Sequence, residues 1–231
     1  MHMGECGGFT NVILGSALCM AMDRVNLGAS KDERLAEFNR YRDMWYNSHD
    51  TTHRWPKLTL GNLRTQKWGE LSGPAIKAAN TRCGVPLVRD FCKEVFKTPD
   101  EVDTDVVAVI SELSDWHDIL YEGGVFLEGS ALERFRELTI SIGARVLRLR
   151  EWSRVNSKLY WSVKPKMHKM QHLPIYAELL NLRYLHVYME ESHMGTIARI
   201  YQAAMRGRYY DDIQSNVLLR RILGLFLRME A

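Results

Sequence analysis

At 231 residues the chain can bury a real core, as one large domain or two small ones. A hydrophobic content of 46% with 26% charged residues is that of an ordinary globular protein and argues against a disordered or fibrous chain. The net charge of +3 is too small to name a partner. Its distribution says more. From Lys97 to Arg136 the chain is mostly acidic, and from Arg145 to Lys169 it turns basic through Arg145, Arg148, Arg150, Arg154, Lys158, Lys164, Lys166 and Lys169. Arg199, Arg206, Arg208, Arg220, Arg221 and Arg228 form a third basic group. Such patches can neutralise phosphates, and solvated helix faces explain each patch at least as well.

Cys6, Cys19, Cys83 and Cys92 make neither a CxxC pair nor a zinc spacing, and are expected as reduced thiols in an intracellular protein. The apolar run Phe9 to Met22 is too short and too polar to span a membrane, and no Lys or Arg precedes it as in a signal peptide. No membrane partner is expected. Residues 8 to 27 read instead as a helix buried nearly all round.

Ser30-Lys-Asp-Glu33 is a capping box, followed at helical spacing by Leu35, Phe38, Arg42 and Trp45. That helix should end near Asn47, and Ser48 to Pro56 should loop. Leu58 to Lys67 suggests a short helix. Gly69 to Pro74 is a turn region, with Pro74 suited to open a helix through Arg82. Pro86 to Phe96 carries Leu87, Phe91 and Val95 on one stripe. Thr98-Pro-Asp-Glu101 predicts a start with Thr98 as cap and Pro99 in the first helical position. Val106, Ile110, Leu113, Trp116 and Leu120 follow until Gly123-Gly124. Ser130-Ala-Leu-Glu133 predicts a third capping box, opening a long helix with a core stripe of Leu132, Phe135, Leu138, Ile142, Val146 and Leu149. Its other face carries Arg145, Arg148 and Arg154. Ser157 to Ser162 reads as extended. A helix is expected from about Glu190 to Met205 and another from Ile213 to Met229. Leu185 to Met189 is the best strand candidate. The fold class is therefore mainly α: an irregular helical domain of about eight to ten helices with at most one or two short strands.

The groups able to bind a metal or move a proton gather between Lys164 and Gly195, with His168, His172, His186 and His193 beside the pair Glu190-Glu191. On a helix, His168 and His172 would share one face, as a two-His metal site needs. One ring in the core and one in water is the preferred plainer reading. Lys169 stands where an HExxH metalloprotease has its Glu. Glu190 and Glu191 could ligate Mg²⁺ at a helix start, and an acidic first turn without function stands level with that. Tyr160, Trp161, Tyr184, Tyr188, Tyr201, Tyr209 and Tyr210 could stack on bases, though most read as packing residues. Asp115, His117 and Asp118 read as surface charge.

The order Pro165-Lys-Met-His168-Lys-Met-Gln-His172-Leu173, then Tyr188-Met-Glu190-Glu191-Ser-His193-Met-Gly195, resembles the C-terminal half of eukaryotic cut-and-paste transposases with an RNase H-like core, of the Plavaka and Kyakuja–Dileera–Zisupton type. Met1-His-Met-Gly4 and Gly73 to Arg82 resemble further segments of that family. The resemblance implies that Glu191, or in another register Glu190, is the last carboxylate of an Asp-Asp-Glu triad, with His168, His172 and His193 nearby as metal-site residues. It also implies Lys164, Lys166, Lys169, Arg199, Arg206 and Arg208 as nucleic-acid contacts. Residues 1–163 would then be a helical insertion-like region and 164–231 the part carrying the carboxylate. The two Asp ligands would lie upstream of Met1. A two-metal site needs them, so Mg²⁺ is expected only in a complete enzyme and the chain alone is expected to bind DNA without cleaving it. The location would be the nucleus, and an exposed apolar patch could support self-association. Two competing readings are a helical protein–protein interaction module without catalysis and a metal-dependent hydrolase using His168, His172 and Glu190.

Overall fold

Phe9–Arg24 forms helix α1, and every residue from 9 to 22 is buried. An all-round apolar sequence leaves a helix no face to offer water, so the other elements wrap it. The structure, a computed structural model, describes residues 8–25, 30–51, 53–63, 69–72, 76, 78–97, 100–164, 167 and 169–185, with the side chains of 78–80, 169 and 185 left aside. All of these lie in one compact unit, Met1–Leu185.

Helix α2 is Lys31–Ser48, and its capping box is present in full: Ser30 accepts from the Glu33 amide while Glu33 accepts from the Ser30 amide. The expected stripe is its buried face, with Leu35, Phe38, Arg42 and Trp45 all out of solvent. Arg42 survives burial by donating to the Trp55 carbonyl at 3.2 Å and pairing with Asp43. Short helices α3 (Leu60–Leu63) and α4 (Ala78–Cys83) precede α5 (Val85–Val95). The helix start expected at Pro74 lies outside the described residues.

Helices α6 (Glu101–Glu122) and α7 (Gly129–Val155) form the longest pairing. Arg148 meets Asp105, Arg145 meets Glu112, and the Trp116 indole donates to Thr139, so numbering rises on one helix as it falls on the other. The two are antiparallel. Both helix starts differ from the sequence expectation. The cap of α6 is Asp100, which accepts from the Asp103 amide, and not Thr98; Pro99 therefore precedes the cap. Asp100 is also held there by Arg24 from the last turn of α1, at 2.7 Å, a cation at one helix C-terminus meeting an anion at another's N-terminus. Helix α7 begins at Gly129 with Glu128 in the cap position, so Ser130 lies inside the helix and builds no capping box. Gly129 takes φ +52°, a left-handed conformation glycine adopts freely, just after Leu127 is buried in the core.

The remaining described chain is irregular. Lys169–His172 is a 3-10 turn, α8 is Leu173–Ala177, and Leu182–Leu185 is another 3-10 turn. Asn181 is fully buried and donates to the carbonyls of Leu120 and Gly124, closing the C-terminal end of α6. No strand occurs among the described residues. The rest of the strand expected over 185 to 189, and both helices expected beyond it, lie outside them.

A polar node ties three segments together across α1. The Ser16 hydroxyl accepts from the Trp161 amide at 2.8 Å and donates to the Gly69 carbonyl at 2.8 Å. The Gly69 amide in turn donates to the Leu159 carbonyl, and the Leu71 amide to the Asn11 carbonyl. The crossing is close enough that a Cβ on Gly15 would stand 2.6 Å from backbone atoms of Glu70 and Leu71. Trp161 is fully buried at φ +58°, a conformation that costs a bulky residue of order 1–3 kcal/mol and persists here because its amide and ring are both held.

Candidate functional site

Of the residues singled out for chemistry, Glu190, Glu191, His193, Arg199, Arg206 and Arg208 lie outside the described residues, as do Lys166 and His168. Lys169 is described in its backbone only. His172 is exposed at the end of the 3-10 turn and immediately precedes α8. Pro174 sits in the first turn of α8, where its missing amide costs nothing. The backbone from 169 to 172 is thus a 3-10 turn and not the α-helix that a shared face at four-residue spacing presupposes. Among the described residues no group of three or more His, Cys, Asp or Glu side chains could hold a metal ion. No described helix is long and apolar enough to cross a membrane.

The charge segregation seen in the sequence is used inside the fold. Arg145 bonds Glu112 at 2.9 Å and also pairs with Asp105; Arg148 bonds Asp105 at 2.8 and 2.9 Å. Hydrogen bonds from Arg148, joined by Arg145, hold the Asp105 carboxyl below the usual range against the opposing effect of burial. Lys164 pairs with Glu70, which is buried. Arg154 pairs with Glu151 one turn earlier. The acidic α6 and basic α7 therefore serve each other first. Among the aromatics, Trp161 is sealed in the core, and Tyr160 donates to Asp23 at 2.8 Å. Burial and that carboxylate push the Tyr160 phenol up.

His117 corrects the sequence reading. It is 4% exposed, not a surface charge, and stands edge-on to Trp116. Burial first and the Arg82 charge second pull its pKa down to about 3, so the ring is neutral. Among the described residues neither ring nitrogen finds a hydrogen-bond partner. The amphipathic stripe of α6 is wider than its aliphatic residues alone suggest, and it takes in position 117.

A second apolar face on α7 was missed. Ile140 is 71% exposed and Leu147 is 54% exposed. They stand opposite the buried stripe, on the side of the helix expected to carry Arg145, Arg148 and Arg154. With Gly143 and Ala144 they border a groove of about 820 Å³ whose other wall includes Val163 and Met170. The signal was present in the sequence: two large aliphatics seven residues apart, with small residues between them, off the core stripe. Comparison with family models, curated proteins and solved structures gives no match to the chain.

Proposed function

We propose that the chain is a helical protein–protein interaction module whose contact surface is the outer face of α7 and the groove beside it. The observation that carries this reading is the exposure of Ile140 and Leu147 along an apolar groove of about 820 Å³. Two exposed aliphatics on one helix face beside a groove lined by apolar side chains are the kind of surface on which an amphipathic helix docks. The internal pairing of Arg145, Arg148 and Lys164 supports it as well, because it leaves these cations less available to phosphates.

A second reading is a transposase-derived fragment with residual DNA binding. It is favoured by the residue order from Pro165 to Gly195 and rests on Lys166, Lys169, Arg199, Arg206 and Arg208 for phosphate contact, with Glu191 or Glu190 as the remaining metal ligand. One experiment separates the two. A photo-cross-linking amino acid is placed at Ile140 in one variant of the full chain and at Lys169 in another. Discrete protein adducts from position 140 are expected. DNA adducts from position 169, with no protein adduct from 140, would replace the first reading by the second.

A further inference from the structure

We propose that the cleft between the start of α5 and the C-terminal half of α6 binds a small zwitterionic amino acid, its carboxylate on Arg82 and its ammonium on Asp118. The cleft shares no lining residue with the α7 groove and does not depend on what that groove binds.

The cleft holds about 180 Å³ and is walled by two pieces of chain. Ser114, His117, Asp118 and Tyr121 recur at three- and four-residue spacings along one face of α6. Across from them stand Arg82, in the last turn of α4, and Pro86, in the first turn of α5. The turn that presents Arg82 is fixed at Gly84. The Trp55 ring packs there so closely that a Cβ would stand 2.0 Å from it.

Arg82 is held in place but not satisfied. Its guanidinium lies 3.6 Å from the centre of the Tyr121 ring, a cation–π contact that fixes its position. Its fork of N–H donors meets only the Cys83 sulfur, at 3.8 Å, a weak acceptor. Among the described residues no carboxylate pairs with it. Arg183 approaches the same ring at 5.1 Å, but it donates to the Tyr121 carbonyl at 2.6 Å and so closes the end of α6.

Asp118 is the complementary case. The Ser114 hydroxyl supports its charge by a hydrogen bond, and among the described residues it has no ion pair. Burial, with the charges of Glu122 and Asp115, pushes its carboxyl up. Arg89 is the cation near it, yet Arg89 already pairs with Asp90 at 2.9 Å and donates to Ser114 at 3.1 Å. A further cation beside Asp118 would relieve the crowding of negative charge.

A cation and an anion that line one cleft without pairing leave room for a ligand carrying both charges. A simple anion would meet Asp118, and a simple cation would meet Arg82; like charge disfavours each. A zwitterion satisfies both poles. The volume is well below the ~300 Å³ at which pockets for drug-sized ligands begin, so the side chain must be small, set against Val85 and Pro86. With one charge-assisted contact at each end, a Kd on the order of 1 mM is expected. His117, 4% exposed in the wall of the cleft, is the natural reporter of occupancy.

The full chain is titrated with L-alanine, N-acetyl-L-alanine and L-alaninamide while its NMR signals, those of the His117 ring included, are followed. N-acetyl-L-alanine lacks the ammonium, and L-alaninamide lacks the carboxylate. L-alanine should bind and move the His117 signals, and each analogue should bind about tenfold more weakly. Arg82→Gln should weaken L-alanine by about tenfold and abolish its advantage over L-alaninamide, while its advantage over N-acetyl-L-alanine persists. Asp118→Asn should do the reverse, abolishing the advantage over N-acetyl-L-alanine alone. Asp118→Asn should not lower Tm, because that carboxyl has no ion pair to lose, so it carries the test even if Arg82→Gln disturbs the contact with Tyr121. No binding of L-alanine at about 20 mM, well above the expected Kd, overturns the proposal. So does binding that leaves His117 unmoved, or a loss in the variants that is equal for all three compounds.

Discussion

Helices α1 and α7 are built from comparable numbers of aliphatic residues and end up in opposite situations. Helix α1 is buried along its whole circumference from 9 to 22, while α7 turns one stripe inward and leaves a second one, Ile140 and Leu147, in solvent. The difference is set by what lies between the apolar positions. In α1 the gaps are filled by small or neutral residues, Gly15, Ser16, Ala17 and Cys19, and no charge appears before Asp23. Other chain segments can close over every side. In α7 the gaps hold Glu133, Arg134, Arg136, Glu137, Arg148 and Arg150, whose charged ends must reach water. One helix is thus a structural axis with no surface to spare. The other is half structure and half surface, and only such a helix can bind something without unfolding what it supports.

The sharpest way to break this contrast is at Gly15. A methyl group there would stand 2.6 Å from the backbone of Glu70 and Leu71. Backbone cannot rotate away as a side chain can, so the crossing must open and strain the Ser16–Gly69 and Leu71–Asn11 bonds. Gly15→Ala should destabilise the fold by about 2–4 kcal/mol, overriding the ~1 kcal/mol by which alanine favours a helix. Urea denaturation reads this as a lower midpoint with an unchanged slope. A loss below about 1 kcal/mol would mean that the segment over α1 is not held as described.

Much of this architecture was legible in the sequence, because hydrophobic period and capping chemistry are local signals. The Ser30–Glu33 box and the α2, α6 and α7 stripes follow from residues three and four apart, and the structure has them. The errors came where distant chain decides. Asp100 outranks Thr98 as a cap partly because Arg24, from another helix, meets it. Gly129 moves the start of α7 because Leu127 must first be buried. His117 looked like surface charge beside Asp115 and Asp118, yet the packing of α6 takes it inside. Trp161 reached a left-handed conformation for reasons that lie in Ser16, far away in sequence. The candidate site was less legible. The proposed metal and phosphate residues cluster beyond Lys164, whereas the exposed line on α7 depends on knowing which of two apolar stripes the core has used.

His117 offers a smaller and differently signed test, on the helix that packs against both α1 and α7. Its folded-state pKa is depressed to about 3, below the ~6.5 of an unfolded chain. Between those values the unfolded state binds a proton that the folded state refuses, so stability is full above about pH 6.5 and declines as pH falls, by at most ~1.4 kcal/mol per pH unit. The stabilising carboxylates Asp100 and Asp105 have lowered pKa values and hold their charge until much lower pH. The carboxyls of Asp103 and Asp118 are raised by burial and act with the opposite sign as pH falls, so the histidine is read from the difference between the unmodified chain and a variant lacking it, over about pH 6.5 to about pH 5. His117→Leu should flatten the dependence of Tm on pH across that interval. It should also stabilise the protein by about 1 kcal/mol at neutral pH, since the ring it replaces is buried without a hydrogen bond. An unchanged slope would show that His117 is hydrated or bonded in solution.

The smallest effect on the fold is expected where the largest effect on assembly lies. Ile140→Gln with Leu147→Gln replaces two exposed aliphatics by a residue of equal or better helix propensity, and removes nothing from the core. Stability in dilute solution should change by no more than about 0.5 kcal/mol. The discriminating measurement sets stability beside partner capture: with a photo-cross-linking amino acid at Ala144, the unmodified chain should yield discrete protein adducts and the double variant should yield none. If the double variant is instead clearly destabilised, the outer stripe of α7 belongs to the chain's own packing, and the division between an inward structural face and an outward binding face on this helix is wrong.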